Sequence, residues 1–169
     1  MSIRINLGCG PKYFEGYINC DFNPRVKADK YFDLETFPYP LEANLADEII
    51  LDNVLEHLND VPRVMDELHR ILKVGGVLKV MLPYAKSDWA LQDPTHKHFF
   101  TERTLEYFCE GFAGINYYAK EKFRMLKAEL TADNYTYRHR LRNMIPFRNS
   151  LRYFLFNMYD GVYYELQKI

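Results

Sequence analysis

The chain has 169 residues, 48% of them hydrophobic, which fits one globular domain with its own core, a little above the usual size of roughly 100–150 residues. A formal charge of −1 supplies no whole-molecule field to draw in nucleic acid or anionic lipid, so any basic site has to be local. Cys9, Cys20 and Cys109 share no CxxC or CxxH spacing and cannot all pair, which argues against a disulfide framework or a zinc pattern and for a reducing compartment. With no signal-like opening and no apolar run approaching the ~18 residues of a membrane span, a cytoplasmic protein is expected.

Ile3, Ile5 and Leu7 alternate with Arg4 and Asn6, as in a short strand that runs into the turn Gly8-Cys9-Gly10. Tyr17 to Asp21 is a second strand candidate. Only the nine residues Gly8 to Gly16 lie between them. A parallel crossover usually takes a dozen or more residues, so at most a turn of helix fits here. Lys30 to Leu34 reads as an edge strand and Glu48 to Leu51 as a buried one. Over 60–72, Val61, Val64, Met65, Leu68, Ile71 and Leu72 share one helical face, with Asp60 placed to cap and Pro62 in the first turn. Gly75-Gly76 is expected to end that helix and lead into a strand over Val77 to Leu82. A second helix is predicted over Thr101 to Glu110, strands near 123–136, a helix near 149–159 and a strand from Val162 to Gln167. The alternation of strand and helix predicts an α/β fold: a single Rossmann-like domain with a doubly wound, mostly parallel sheet and helices on both faces.

Ligands of such sheets bind beyond the carboxyl ends of the strands, so the tips carry the candidate site. Gly8 and Gly10 let the backbone turn sharply and approach a ligand. Asp21 offers two adjacent acceptor oxygens, the match for the vicinal hydroxyls of a ribose. Asp33 can accept from the exocyclic amine of adenine, with Leu34 supplying an NH and an apolar face. A dinucleotide fingerprint would need a small residue where Tyr13 stands, and no GxxxxGK[ST] phosphate loop is present.

Leu7-Gly8-Cys9-Gly10, Gly16 to Asp21, Asp47 through Val54-Leu55-Glu56-His57-Leu58, and Leu72 to Leu78 together resemble class I S-adenosylmethionine-dependent methyltransferases, over roughly residues 4–110. The subgroup resembled has a contracted first loop and is associated with small-molecule or glycan methylation. The resemblance implies S-adenosylmethionine as cofactor. Gly8, Cys9 and Gly10 would lie along its methionine portion, Asp21 at the ribose, Asp33 and Leu34 at the adenine, and Asp52 and Asn53 at the methionine amino end. The family's third loop glycine is absent, and Val74 replaces a frequent proline. On this reading residues 1–83 form the cofactor-binding core, 84–160 the acceptor side and lid, and 161–169 a closing strand.

For the acceptor side, "DPTHKHFF", Asp93 to Phe100, follows the fifth predicted strand. His96 is the expected catalytic base, and His57, Asp93 and His98 are expected to touch the acceptor. The spacing matches no metal-ligand pattern, so no metal is expected. The expected reaction is methyl transfer to oxygen or nitrogen of a small-molecule or glycan-like acceptor. Two alternatives remain: a catalytically silent cofactor-binding regulatory module, and an RNA methyltransferase using Arg138, Arg140, Arg142, Arg148 and Arg152, which lie in a stretch without acids.

Overall fold

The opening alternation becomes β1, Arg4–Leu7, flanked in parallel by β2, Ile18–Asp21, and β4, Ala46–Asp52. The computed structural model describes residues 2–169. β3 is the two-residue strand Lys30–Tyr31, β5 runs over Leu72–Pro83, β6 over Phe123–Thr131 and β7 over Gly161–Lys168. They form one seven-stranded sheet in the order β3-β2-β1-β4-β5-β7-β6. β7 runs antiparallel to both β5 and β6, and the pairs from β3 to β5 are parallel.

Register divides the sheet into two unlike faces. Ile5, Ile49, Leu78 and Leu166 are neighbours across four strands, as are Leu7, Leu51, Val80 and Tyr164, and all eight are fully buried. Helix α1, Val61–Ile71, joins this core through Val64, Met65, Leu68 and Ile71. Asp60 caps it, accepting from the Arg63 NH at 3.0 Å. The same core takes in Leu105 and Phe108 from a 3-10 turn over Thr104–Phe108. On the other face the side chains are mostly polar and half-buried. Lys79 Nζ pairs with Glu48 at 2.6 Å, Tyr17 donates to Glu48, and the Arg4 guanidinium lies 4.6 Å above the Tyr17 ring. Over β1 and β2 this face is closed by the 11–17 segment, where Asn6 donates to the Lys12 carbonyl and Asn19 to the Phe14 carbonyl. Over these two strands the cover is made of turns rather than a helix, because the contracted first link is too short for one.

Other boundaries shift for local reasons. The edge strand expected over 30–34 stops at Tyr31, since Asp33 turns the chain by accepting the Glu35 NH and, through its carbonyl, the Thr36 NH. Helix α1 ends at Ile71, and Leu72 already pairs with Ala46, so Gly75 and Gly76 lie inside β5 rather than ahead of it. The helix expected over 101–110 is the shorter 3-10 turn. Of the helix expected near 149–159 only the short α4 (Arg148–Leu151) forms, and two short helices arise outside that range, α2 (Asp88–Gln92) and α3 (Tyr137–Asn143). The tail is tied to the sheet by Arg142 and Asp160, paired through two contacts of 2.7 and 2.5 Å.

Candidate functional site

A cavity of about 480 Å³ opens at the carboxyl ends of β1, β2 and β4, within the roughly 300–1,000 Å³ of small-molecule sites. Of the predicted cofactor residues, Gly8, Asp21, Asp33, Leu34 and Asn53 line it, joined by Phe22, Phe32, Glu35, Val54, His57 and Leu58. Asp21 is 8% exposed and held by two backbone donors, the Gly10 NH on one oxygen and the Asn23 NH on the other, each at 2.8 Å. Each carboxylate oxygen has a second acceptor site, so the group stays able to receive two hydroxyls while its position is set by the loop. Gly8 has φ +67°, and a Cβ there would stand 2.6 Å from Val54 Cγ2. Only glycine lets the chain turn against Val54 and leave the cavity open.

The remaining predicted cofactor residues lie outside this lining. Cys9 is buried beneath the turn, and Gly10 acts through its NH on Asp21. Asp52 pairs with Lys12 Nζ at 2.6 Å and accepts from the Asn53 side chain at 2.9 Å.

His57 ties this cavity to a second group of side chains. It sits in a 3-10 turn, Leu55–His57, directly after β4. The loop after α2 docks there, the Lys97 NH donating to the Glu56 carbonyl at 2.7 Å. This brings the His96 ring edge-on to the His57 ring, 4.8 Å between centroids. Thr95 Oγ1 lies 2.9 Å from His57 Nδ1 and donates to Asp93 Oδ1 at 2.7 Å, while His96 Nδ1 lies 2.9 Å from the Ala90 carbonyl. Burial pushes the Glu56 carboxyl up to about 7, with the charges of Asp52 and Asp93 adding to the effect. Burial, then the neighbouring His96, lowers His57. Asp93 is held below the usual carboxylate range by its hydrogen bonds from Thr95.

The structure therefore brings together His57, Asp93 and His96, but not His98, which lines a separate apolar groove with Val61, Phe99 and Tyr117. Sequence reasoning passed over Thr95, which fixes His57, and gave Glu56 no site role. The signal for Glu56 is its pairing with His57 just past a strand tip. The arginines expected to form a basic patch are largely engaged. Arg142 pairs with Asp160, Arg152 with Glu102 at 2.5 Å, Arg148 lies over the Tyr159 ring, and Arg140 bonds the Asn134 carbonyl. Their acids come from outside the stretch that lacks them.

A second cavity, about 570 Å³, lies beyond α2 and is lined by Trp89, Gln92, Arg138, His139, Asn157 and Asp160 among others. Helix α2 thus contributes to this cavity through Trp89 and holds His96 through Ala90. No helix among the described residues is long and apolar enough to cross a membrane.

Residues 6–80 match the family model described as a methyltransferase domain. A SAM-dependent methyltransferase from Archaeoglobus fulgidus has a similar structure, with a TM-score of 0.70 at 19% identity over 99% of this chain and 86% of that one. One from Mesorhizobium loti gives 0.64 at 15% identity over 98% and 90%. One from Thermotoga maritima gives 0.64 at 16% over 100% and 83%. At such identities the likeness is one of fold. No curated protein is similar enough to the chain to count as a match. With the family match running from β1 into β5, and a carboxylate and a glycine turn shaping a cavity at the strand tips, residues 6–80 are similar to methyltransferase domains and the chain as a whole shares the fold of the S-adenosylmethionine-dependent methyltransferases named above.

Proposed function

We propose that the chain is a class I S-adenosylmethionine-dependent methyltransferase that methylates an oxygen or nitrogen of a small-molecule or glycan-like acceptor, bound on the side built by residues 84–160, in the cytoplasm. Bound S-adenosylmethionine supplies a methyl group already activated by its sulfonium. Asp21 would hold the ribose hydroxyls, Asp33 and Leu34 the adenine, and Gly8 and Asn53 would border the methionine portion. Asp52 would act at the amino end through its pair with Lys12.

The observation that carries the acceptor side is the position of His57, which lines the cofactor cavity and touches His96 of the loop after α2. An acceptor reaching the methyl group from the second cavity would pass this cluster. Alignment of acceptor and methyl is then the protein's main contribution, with His96 Nε2 taking the proton of a hydroxyl acceptor. Asp93 acts on this side by fixing Thr95 and hence His57. His98, on its own groove, would touch only an acceptor long enough to extend past Phe99. The engaged arginines argue against an RNA substrate.

Labelled-methyl transfer to a panel of hydroxyl- and amine-bearing small molecules, glycans and RNA tests the reading. Transfer to one of the first classes is expected, and His96→Ala should lower it by roughly 10²–10⁴-fold with cofactor affinity within about twofold of the parent. Transfer to RNA alone, or to none of the panel despite cofactor binding, would overturn it.

A further inference from the structure

Glu56 is 1% exposed, and neither of its carboxylate oxygens has a hydrogen-bond partner. Buried polar groups are nearly always paired, because an unpaired one forfeits its hydration without compensation. The neighbouring histidines are arranged in a complementary way. Thr95 has a single hydroxyl proton, and it goes to Asp93 Oδ1 at 2.7 Å, an oxygen that can only accept. Thr95 Oγ1 must then accept from His57 Nδ1–H at 2.9 Å. His96 Nδ1–H likewise donates to the Ala90 carbonyl at 2.9 Å. Both neutral rings are thereby held as the tautomer whose Nε2 is bare. Ligand atoms of Glu56, His57 and His96 all lie within 4.8 Å of one another.

We propose that Glu56, His57 and His96 form a site for one divalent metal ion of the zinc type. A histidine whose Nδ1–H is held by a carbonyl or by a carboxylate-linked hydroxyl is the arrangement that orients imidazole toward a metal. Two imidazoles and one carboxylate suit zinc and its first-row neighbours, whereas magnesium selects all-oxygen sets. Ligands about 2.1 Å from a tetrahedral ion stand about 3.4 Å apart, so the cluster contracts by roughly 1.4 Å at its widest. Three protein ligands leave a coordination position open, the pattern of catalytic rather than structural sites. Asp93 Oδ2, 3.9 Å from His96 Nε2, stands beside that position. What the ion would do there, acidify a hydroxyl acceptor next to His57 in place of proton removal by His96, whose Nε2 it would occupy, rests on the acceptor reading above. Metal binding itself does not.

The test uses the full chain, stripped with a chelator and desalted, then titrated with ZnCl₂ by calorimetry and with CoCl₂ by visible absorption. S-adenosylmethionine binding and thermal unfolding are measured in parallel. One ion per chain is expected, with at least tenfold weaker binding in Glu56→Gln and His96→Ala. Thr95→Val, which leaves every ligand in place, should weaken it 10- to 100-fold. If Glu56→Gln or His96→Ala fails to fold, Thr95→Val decides. Absence of saturable binding in the parent, or parent-like affinity in the folded variants, overturns the metal site even where the cofactor binds normally. Metal binding without cofactor binding would instead uphold the site and defeat the methyl-transfer reading.

Discussion

Asp21 is the most exacting test of the cofactor cavity, because one carboxylate is asked to organise the loop and hold the ribose. Its two oxygens already receive the Gly10 and Asn23 NH groups at 2.8 Å. Hydrogen bonds to a charged group contribute about 1.5–3 kcal/mol each. Gly10 and Asn23 are both half-buried, so water can partly replace the lost partner and the lower figure applies. Asp21→Ala should therefore lower stability by about 3 kcal/mol. Losing two ribose contacts at about 1.5 kcal/mol each should also weaken the cofactor by roughly 150-fold. Asp21→Asn keeps one acceptor oxygen, so roughly tenfold is expected. Calorimetry with S-adenosylmethionine and its demethylated product reads the affinities, and urea unfolding reads the stability. Analogues lacking the 2′ or the 3′ hydroxyl separate the two roles. Each deletion should weaken binding to the parent and matter less to Asp21→Asn, as coupled partners do. If the deoxy analogues bind the parent as tightly as the full cofactor, or if Asp21→Ala unfolds more easily yet binds normally, the carboxylate is a loop anchor alone.

Gly8→Ala should cost about 2–3 kcal/mol, part from the left-handed backbone and part from the Cβ forced to 2.6 Å of Val54 Cγ2. Adding Val54→Ala should relieve the steric part, giving a favourable coupling of about 1 kcal/mol in urea unfolding; strictly additive losses would place the strain elsewhere. The buried Arg142–Asp160 pair predicts an acid-sensitive stability. Burial alone would raise the Asp160 carboxyl, but Arg142 and the Asp133 NH outweigh it and hold it below its ordinary 3.8. Its contribution is complete above about pH 4 and is lost as the pH falls through the depressed folded value, because the unfolded chain takes up the proton first. Urea midpoints between about pH 5 and pH 2.5 should therefore fall more steeply for the parent than for Asp160→Asn; parallel curves would contradict the pairing.

The core of the fold was legible wherever a pattern repeated. Val61, Val64, Leu68 and Ile71 return every three or four residues and place α1 within a residue of its observed ends. The apolar runs Ile49 to Leu51 and Val77 to Leu82 mark β4 and β5. Failures came where a local contact overrules the pattern. Asp33 bends the chain and cuts β3 short, and Leu72 pairs with Ala46 before the glycines that were expected to turn the helix into the strand. The tail helices resist reading because their stability is not in their own sequences: α3 is anchored by Arg142 reaching Asp160 across eighteen positions. For the site, acids expected at strand tips were enough to pick out Asp21 and Asp33, which both line the cavity. The histidines were harder. His57 and His96 lie 39 positions apart in the sequence, and their meeting depends on the Lys97 NH finding the Glu56 carbonyl, a contact without a sequence signature.

The place of β7 between β5 and β6 bears on how the molecule is made. Among the described residues, 161–168 are the only strand bonded to β6, and their other neighbour, Val77 to Pro83, lies some eighty positions upstream. While the polypeptide emerges from the ribosome, β1 to β5 can assemble early, yet Leu78, Val80 and Leu82 keep a raw edge until β7 arrives. Such distant pairing is slow, so this edge stays open to mispairing until residues 161–168 are made.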